Sequence, residues 1–198
     1  MDHWTVAMLG DSGVGKNRLA NEFMWNSIDY FPGPVLKPHR GSKPTISQDD
    51  YSKQIIVDNR MSMVSVVHNA DLDECAAHRE QLLREGQGFI IIYSVSDRTS
   101  FDRVNHWREI IKGDPAALLL VGNKCDQNDA REVSRSEGEA RAKQLGCSFL
   151  ETSTKTVQNV ERLFVTIVRL LRDAARRRVA AAASEQDHGR KRTKCSVL

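Results

Sequence analysis

Gly10-Asp11-Ser12-Gly13-Val14-Gly15-Lys16 is the stretch that decides the fold. It matches the pattern G-x-x-x-x-G-K, with a short apolar run over residues 4–9 before it and a helix expected from about residue 16 to 25 after it. Glycines let a backbone wrap closely around an anion. The loop's N–H groups and the helix N-terminus stabilise that anion, and Lys16 adds a point charge. A glycine-rich turn with a merely solvated lysine would carry the same letters, but the flanking strand and helix favour the cradle. The full pattern continues with Ser or Thr, whose hydroxyl ligates Mg²⁺, and here Asn17 stands in that place. An amide oxygen is neutral, longer and differently placed. Mg²⁺ demands near-ideal octahedral geometry, so weakened metal binding is expected.

Outward from this loop, strands alternate with helices. Residues 27–43 break the rhythm, because Pro32, Pro34 and Pro38 with Gly33 and Gly41 allow neither a helix nor a central strand. Residues 54–57 and 61–67 flank Asp58-Asn59-Arg60, a hairpin turn. Residues 73–84 read as a helix ended by Gly86–Gly88, 89–95 as a buried strand, 100–112 as a helix and 116–121 as another buried strand. Ser134 and Glu137 have capping-box spacing ahead of a helix that stops near Gly146. Residues 148–150 form a short strand, and 157 to about 182 a long last helix. The order is β-α-β-β-α-β-α-β-α-β-α. It predicts an α/β fold: a doubly wound, mostly parallel six-stranded sheet with helices on both faces and its ligand site beyond the carboxyl ends of the strands.

The 198 residues fit one domain and a tail, with 40% apolar and 28% charged residues. A net charge of +3 does not point to nucleic acid, and the positive charge gathers at 176–178 and 190–194. The start MDHWTVAMLG lacks a basic segment followed by an apolar one, so no secretory leader is expected. No apolar run is long enough to cross a bilayer. Cys75, Cys125, Cys147 and Cys195 show no C-x-x-C pairing, which argues for reduced thiols in the cytosol rather than disulfides or zinc. Trp4, Trp25 and Trp107 are read as packing in or near the core.

After the strand ending at Val121 comes Asn123-Lys124-Cys125-Asp126. A carboxylate at Asp126 can accept from the two donors on the guanine edge, a pair that adenine does not present. Glu151-Thr152-Ser153-Thr154-Lys155 follows the next strand and adds a loop at the same face. With these residues together, the chain resembles a Ras-type small GTPase, over about residues 4–171 and again at the final four. The resemblance extends to Pro44-Thr45-Ile46, similar to the first switch, and to Gly86-Gln87-Gly88-Phe89, similar to the exit from the second. It implies that GTP or GDP is the ligand and Mg²⁺ the cofactor, with the nucleotide held by residues 10–17 and Thr45. Asn123, Lys124 and Asp126 would hold guanine, and Ser153, Thr154 and Lys155 would complete the base pocket, although the family usually has Ala at Thr154. Asn17 and Thr45 would face the metal. Exchange factors and effectors are the implied protein partners, and a monomer is expected.

The second switch departs from the family's D-T-A-G-Q, reading His68-Asn69-Ala70-Asp71-Leu72. The acid that holds the metal's water shell becomes His68. The glycine that meets the γ-phosphate becomes Asp71, which adds negative charge. Leu72 stands at the catalytic glutamine position and cannot orient a water. Ser12 replaces a glycine and would crowd an incoming arginine finger. The first switch is lengthened, and Ile28, Tyr30 and Phe31 are all candidates to pack on guanine. By family analogy Asn17 favours the GDP-bound or empty form and Leu72 slows the off step. The metal defect acts first, so a weak or GDP-biased binder with slow hydrolysis is expected.

Cys195-Ser196-Val197-Leu198 is a C-a-a-X box whose terminal Leu points to geranylgeranylation. Arg190, Lys191, Arg192 and Lys194 add attraction to an anionic leaflet, about 1 kcal/mol each near the surface. Lipid and basic patch together make a two-signal anchor. Residues 1–172 are thus read as the nucleotide-binding domain. Residues 173–198 are read as helix end, tether and anchor, with 180–184 frayed and 185–189 flexible. The expected place is the cytosolic face of the plasma membrane or an endomembrane. Two rivals stand beside the switch. A non-hydrolysing module of the same fold would sequester an exchange factor or effector. A nucleotide or small-molecule kinase is opposed by Asn123–Asp126 and the C-terminal box.

Overall fold

The computed structural model describes residues 1–25, 52–68, 76–111, 113 and 115–193. Their elements run β1 (Asp2–Leu9), α1 (Lys16–Trp25), β2 (Ser52–Val57), β3 (Arg60–His68), α2 (Ala76–Glu85), β4 (Gly88–Ser94), α3 (Arg98–Asp102), α4 (Val104–Ile110), β5 (Leu118–Asn123), α5 (Arg135–Gln144), β6 (Ser148–Glu151) and α6 (Val160–Thr193). The strands form one sheet in the order β2-β3-β1-β4-β5-β6. Among the described residues, β2–β3 is the one antiparallel strand pair. The expected doubly wound α/β sheet is what the chain forms.

Burial explains which strand sits where. Every residue of β4 and of β5 is buried, as a strand covered on both faces requires. Strand β2 lies at the edge and leaves Ile56 62% exposed. It turns into β3 through Asp58 and Asn59, whose φ values of 50° and 59° suit a two-residue hairpin. Arg60, expected in the turn, already belongs to β3. On one face of the sheet, Leu19 and Phe23 of α1 and Phe164, Ile167 and Leu171 of α6 cover Val6, Met8, Ile90, Ile92, Leu119 and Val121. The alternate residues Ala7, Leu9, Ile91, Tyr93 and Leu120 meet Leu82, Phe101, Trp107 and Ala142 on the other face. This period-two division lets both faces bury apolar area, which drives the fold.

Two helices differ from their sequence reading. The helix expected at 100–112 begins earlier and divides into α3 and α4. Asp97 starts it by accepting from Ser100 N–H, and Arg103 (φ −79°, ψ −2°) separates the two parts while its N–H still bonds Thr99 O and its carbonyl still accepts from Trp107 N–H. The last helix starts later than expected, because Val157 and Asn159 take φ values of 61° and 58° that no helix allows. It then continues to Thr193, so residues expected to fray or form a tether are helical. The Ala180–Ala183 run and the Glu, Gln, Arg and Lys beyond it are strong helix formers, outweighing Gly189 at about 1 kcal/mol. The capping box at α5 is present, with Glu137 N–H bonded to Ser134 and Ser134 N–H to Glu137. Arg98 also donates to Glu137 at 2.7 Å. That bond, then those from Ser134, hold the Glu137 carboxyl down at about 2.

One polar junction locks α6 to the sheet. Arg172 is 6% exposed and donates to Asp2 Oδ2 (3.0 Å), Val57 O (2.6 Å), Arg60 O (3.1 Å) and Ser62 Oγ (2.8 Å). Removing the guanidinium would leave a buried carbonyl and hydroxyl and a half-buried carboxylate without it. Arg172→Ala should therefore lower unfolding free energy by about 3 kcal/mol in urea titration. A change within about 0.5 kcal/mol, the range of ordinary surface substitutions, would show that the junction is not structural.

Candidate functional site

The phosphate loop follows β1 and is shaped by what surrounds its glycines. A Cβ on Gly10, where φ is +148°, would lie 2.2 Å from Ile92 O of β4. A Cβ on Gly15, where φ is +102°, would lie 2.4 Å from Asn123 Nδ2. Both positions need glycine for space as well as for backbone conformation. Lys16 is 6% exposed, and its Nζ donates to Gly10 O and Asp11 O at 2.8 Å each. The ammonium thus folds across the loop and holds a positive charge at the N-terminus of α1. Ser12 and Asn17 are exposed at the rim.

The ends of β5 and β6 bring the second half of the site. Asn123 is fully buried, donating from Nδ2 to Val14 O at 2.8 Å and accepting at Oδ1 from Thr152 Oγ1 at 3.1 Å. The family resemblance implies Asn123 as a guanine contact, and in the structure its side chain also ties the two loops together. Lys124 turns the chain with φ 62°. Cys125 N–H donates to Thr152 O at 3.0 Å. Ser153 Oγ donates to Asp126 Oδ1 at 2.5 Å and accepts from the N–H groups of Lys155 and Thr156 at 3.2 Å each. Behind them Arg131 grips Glu151 at 2.7 and 3.4 Å, and Asn159 Nδ2 caps Glu151 O at 2.8 Å. Asp126 therefore offers its carboxylate from a loop pinned on two sides. Thr154 is half-buried beside it and Lys155 exposed.

Burial pushes the thiols of Cys125 and Cys147 upward, the latter to about 11, as packed cysteines rather than nucleophiles. His68 ends β3 opposite Met8 of β1, which places its backbone two residues short of the Gly10 register. Thr45, Asn69, Asp71, Leu72, Cys75 and Cys195 lie outside the described residues, as do Ile28, Tyr30 and Phe31.

Sequence reasoning overlooked the Asp11 side chain. Its Oδ1 accepts from Trp107 Nε1 at 2.7 Å, and its Oδ2 pairs with Arg103 at 3.4 Å. A carboxylate inside an anion cradle requires a partner, and that requirement was the available signal. Arg131 and Asn159 carried no signal, because both act from behind the site.

The loop that would take a diphosphate and the loop that would take a base are thus joined through Asn123. A polyphosphate with a base carrying two adjacent donors fits this arrangement. Gly15→Ala should reduce GDP retention about tenfold or more, since its methyl group meets the strut in a strained backbone. Asp126→Ala should weaken GDP by a factor of about 10 to 100 through loss of charge-assisted bonds. It should also erode the preference for GDP over ADP. Equal GDP and ADP affinity in the unaltered chain would remove Asp126 from that role.

The Ras family model matches residues 5–173. Ras-like protein rasW of Dictyostelium discoideum is 35% identical over 172 residues, covering 85% of this chain and 74% of that protein. Ras-like protein 1 of Pyricularia oryzae is 36% identical, covering 84% of this chain and 74% of its own. Ras-like protein 1 of Saccharomyces cerevisiae is 36% identical, covering 86% of this chain and 53% of its own. Sheet order, phosphate loop and relatives agree, and the chain belongs to the Ras family of small GTPases.

Proposed function

We propose that this protein is a membrane-anchored guanine-nucleotide switch that binds its nucleotide by the family's means but hydrolyses GTP slowly. The observation that carries the binding half is the Asn123 bond to Val14 O, which draws the phosphate loop and the base loop together. Residues 10–16 would hold the phosphates, with Lys16 turning from Gly10 O and Asp11 O toward them. Asp126, assisted by Ser153 and the loop of Thr154 and Lys155, would hold guanine.

The slow half rests on residue chemistry. Mg²⁺, when bound, would supply positive charge to offset that of the phosphates. Asn17 and Thr45 are the residues that would face it. Asn17 offers a neutral amide oxygen in place of a hydroxyl. At position 68 a histidine replaces the family acid, so the metal's water shell loses a carboxylate acceptor. Asp71 adds negative charge near the γ-phosphate, and Leu72 has no group to orient a water. The result is a binder biased toward GDP, which would engage exchange factors for longer than effectors. With hydrolysis absent altogether, the same surface would act as a non-catalytic module that sequesters an exchange factor or effector.

Anchoring rests on Cys195 in its C-a-a-X box, with Arg190, Lys191, Arg192 and Lys194 before it. Among the described residues no helix is long and apolar enough to cross a membrane, so the lipid and basic charge would carry the attachment to the cytosolic face.

Single-turnover GTP hydrolysis with Mg²⁺, measured beside GDP and GTP affinities, tests the proposal. Hydrolysis below the family's usual rate and tighter GDP than GTP binding are expected. Asn17→Ser with His68→Asp should strengthen Mg²⁺-dependent GTP binding about tenfold or more. Ordinary hydrolysis by the unaltered chain would overturn the impairment, and absence of any guanine-nucleotide binding would overturn the switch.

A further inference from the structure

Asp11 is a carboxylate placed inside a loop whose purpose is to attract phosphate. Its side chain is only 12% exposed, so solvent does little to screen it. Its charge is answered from across the fold, by Trp107 Nε1 at 2.7 Å on Oδ1 and Arg103 at 3.4 Å on Oδ2. The two partners support each other, because the Arg103 guanidinium lies over the Trp107 ring at 5.9 Å. Trp107 is 4% exposed and packs in the apolar cluster beneath α4. Arg103 is the residue between α3 and α4, and its main chain is held by bonds to Thr99 O and from Trp107 N–H. On its main-chain side Asp11 is equally fixed, since its carbonyl takes Lys16 Nζ at 2.8 Å.

We propose that Asp11 is a positioning residue for the nucleotide diphosphate, clamped by Arg103 and Trp107 so that the α3–α4 junction and the phosphate loop behave as one unit. This rests on the guanine-nucleotide reading given above. The carboxylate has two opposed effects. Bonded to Arg103 and Trp107, it holds the peptide that carries the lysine's acceptor and keeps the loop open to phosphate. Deprived of Arg103, it becomes a nearby negative charge that repels phosphate. Arg103 acts through Asp11 and does not itself touch the ligand. Trp107, hydrogen-bonded to the loop, senses its occupancy, so its indole emission changes when the diphosphate enters or leaves.

The sign of the coupling makes the test. GDP release is followed in the purified full chain at low and high salt, using displacement of a labelled GDP. Arg103→Ala should speed release about three- to fivefold at low salt, with the difference shrinking as salt screens the unpaired carboxylate. Adding Asp11→Asn to Arg103→Ala should bring release back within about twofold of the unaltered chain, since the repelling charge is gone. A residue that merely stabilised the helix would show neither the salt dependence nor the rescue. The nucleotide-dependent change in tryptophan emission should vanish in Trp107→Phe and persist in Trp4→Phe. Arg103 is half-exposed, so its variant tests the clamp even if Trp107→Phe folds poorly. Unchanged release in Arg103→Ala at low salt, or no rescue by Asp11→Asn, overturns the clamp alone. An unaltered chain that retains no GDP overturns the nucleotide reading and the clamp together.

Discussion

The hydrogen bond from Asn123 Nδ2 to Val14 O joins residues 109 apart in the chain and is sealed from water. Strands β1 and β5 are not neighbours in the sheet, because β4 lies between them. This side chain reaches over the end of β4 to join their loops. The same amide explains why Gly15 can carry no side chain, and its oxygen anchors Thr152 from the end of β6. One buried side chain therefore fixes three strand ends. Leaving such a donor unmet costs about 1–3 kcal/mol, a large share of the 5–15 kcal/mol typical of a domain. The bond that sets the geometry of the site thus also contributes to the stability of the fold.

That dependence explains why the supports behind the site are polar yet at least partly buried. Arg131 on Glu151 and Asn159 on the Glu151 carbonyl stiffen the β6 loop, which in turn holds Ser153 against Asp126. At the opposite pole Arg172 does similar work for α6 and the β2–β3 hairpin. The apolar clusters hold the layers together without direction, since burial of area has no preferred angle. Direction comes from these few hydrogen-bonded side chains, and a site accurate to a fraction of an ångström needs them.

The features legible in the sequence were those written in neighbouring residues. The all-apolar runs became β4 and β5, Asp58-Asn59 became the hairpin turn, and Ser134 with Glu137 became the capping box. The phosphate loop could be read because its conformation demands glycine at fixed intervals. What escaped was long-range or marginal. The division at Arg103 coincides with a partner 92 residues earlier in the chain, and no local propensity marks it. The end of α6 was misplaced because the weak helix formers Ser184, Asp187, His188 and Gly189 punctuate the segment, and the strong ones around them outweigh them. Asn123 was recognised as important, but its role as a strut appears only once β5 and the phosphate loop stand side by side.

Charge placement around the loop gives the final step. An anion cradle works by presenting N–H groups and a cation to the ligand, and every nearby carboxylate opposes it. Asp11 is tolerable because Trp107 and Arg103 answer it before a phosphate arrives. The carboxylate that the family places at position 68 acts differently, favouring phosphate indirectly by holding the water shell of a cation. In this chain that acid is replaced by His68, while Asp71 adds a negative charge in the neighbouring segment. The diphosphate half of the site keeps its compensation, and on the proposed reading the half facing the third phosphate and the metal would lack it. A nucleotide with two phosphates makes less demand on the lost half than one with three. The proposed preference for GDP rests on that imbalance in residue chemistry, before any catalytic group is considered.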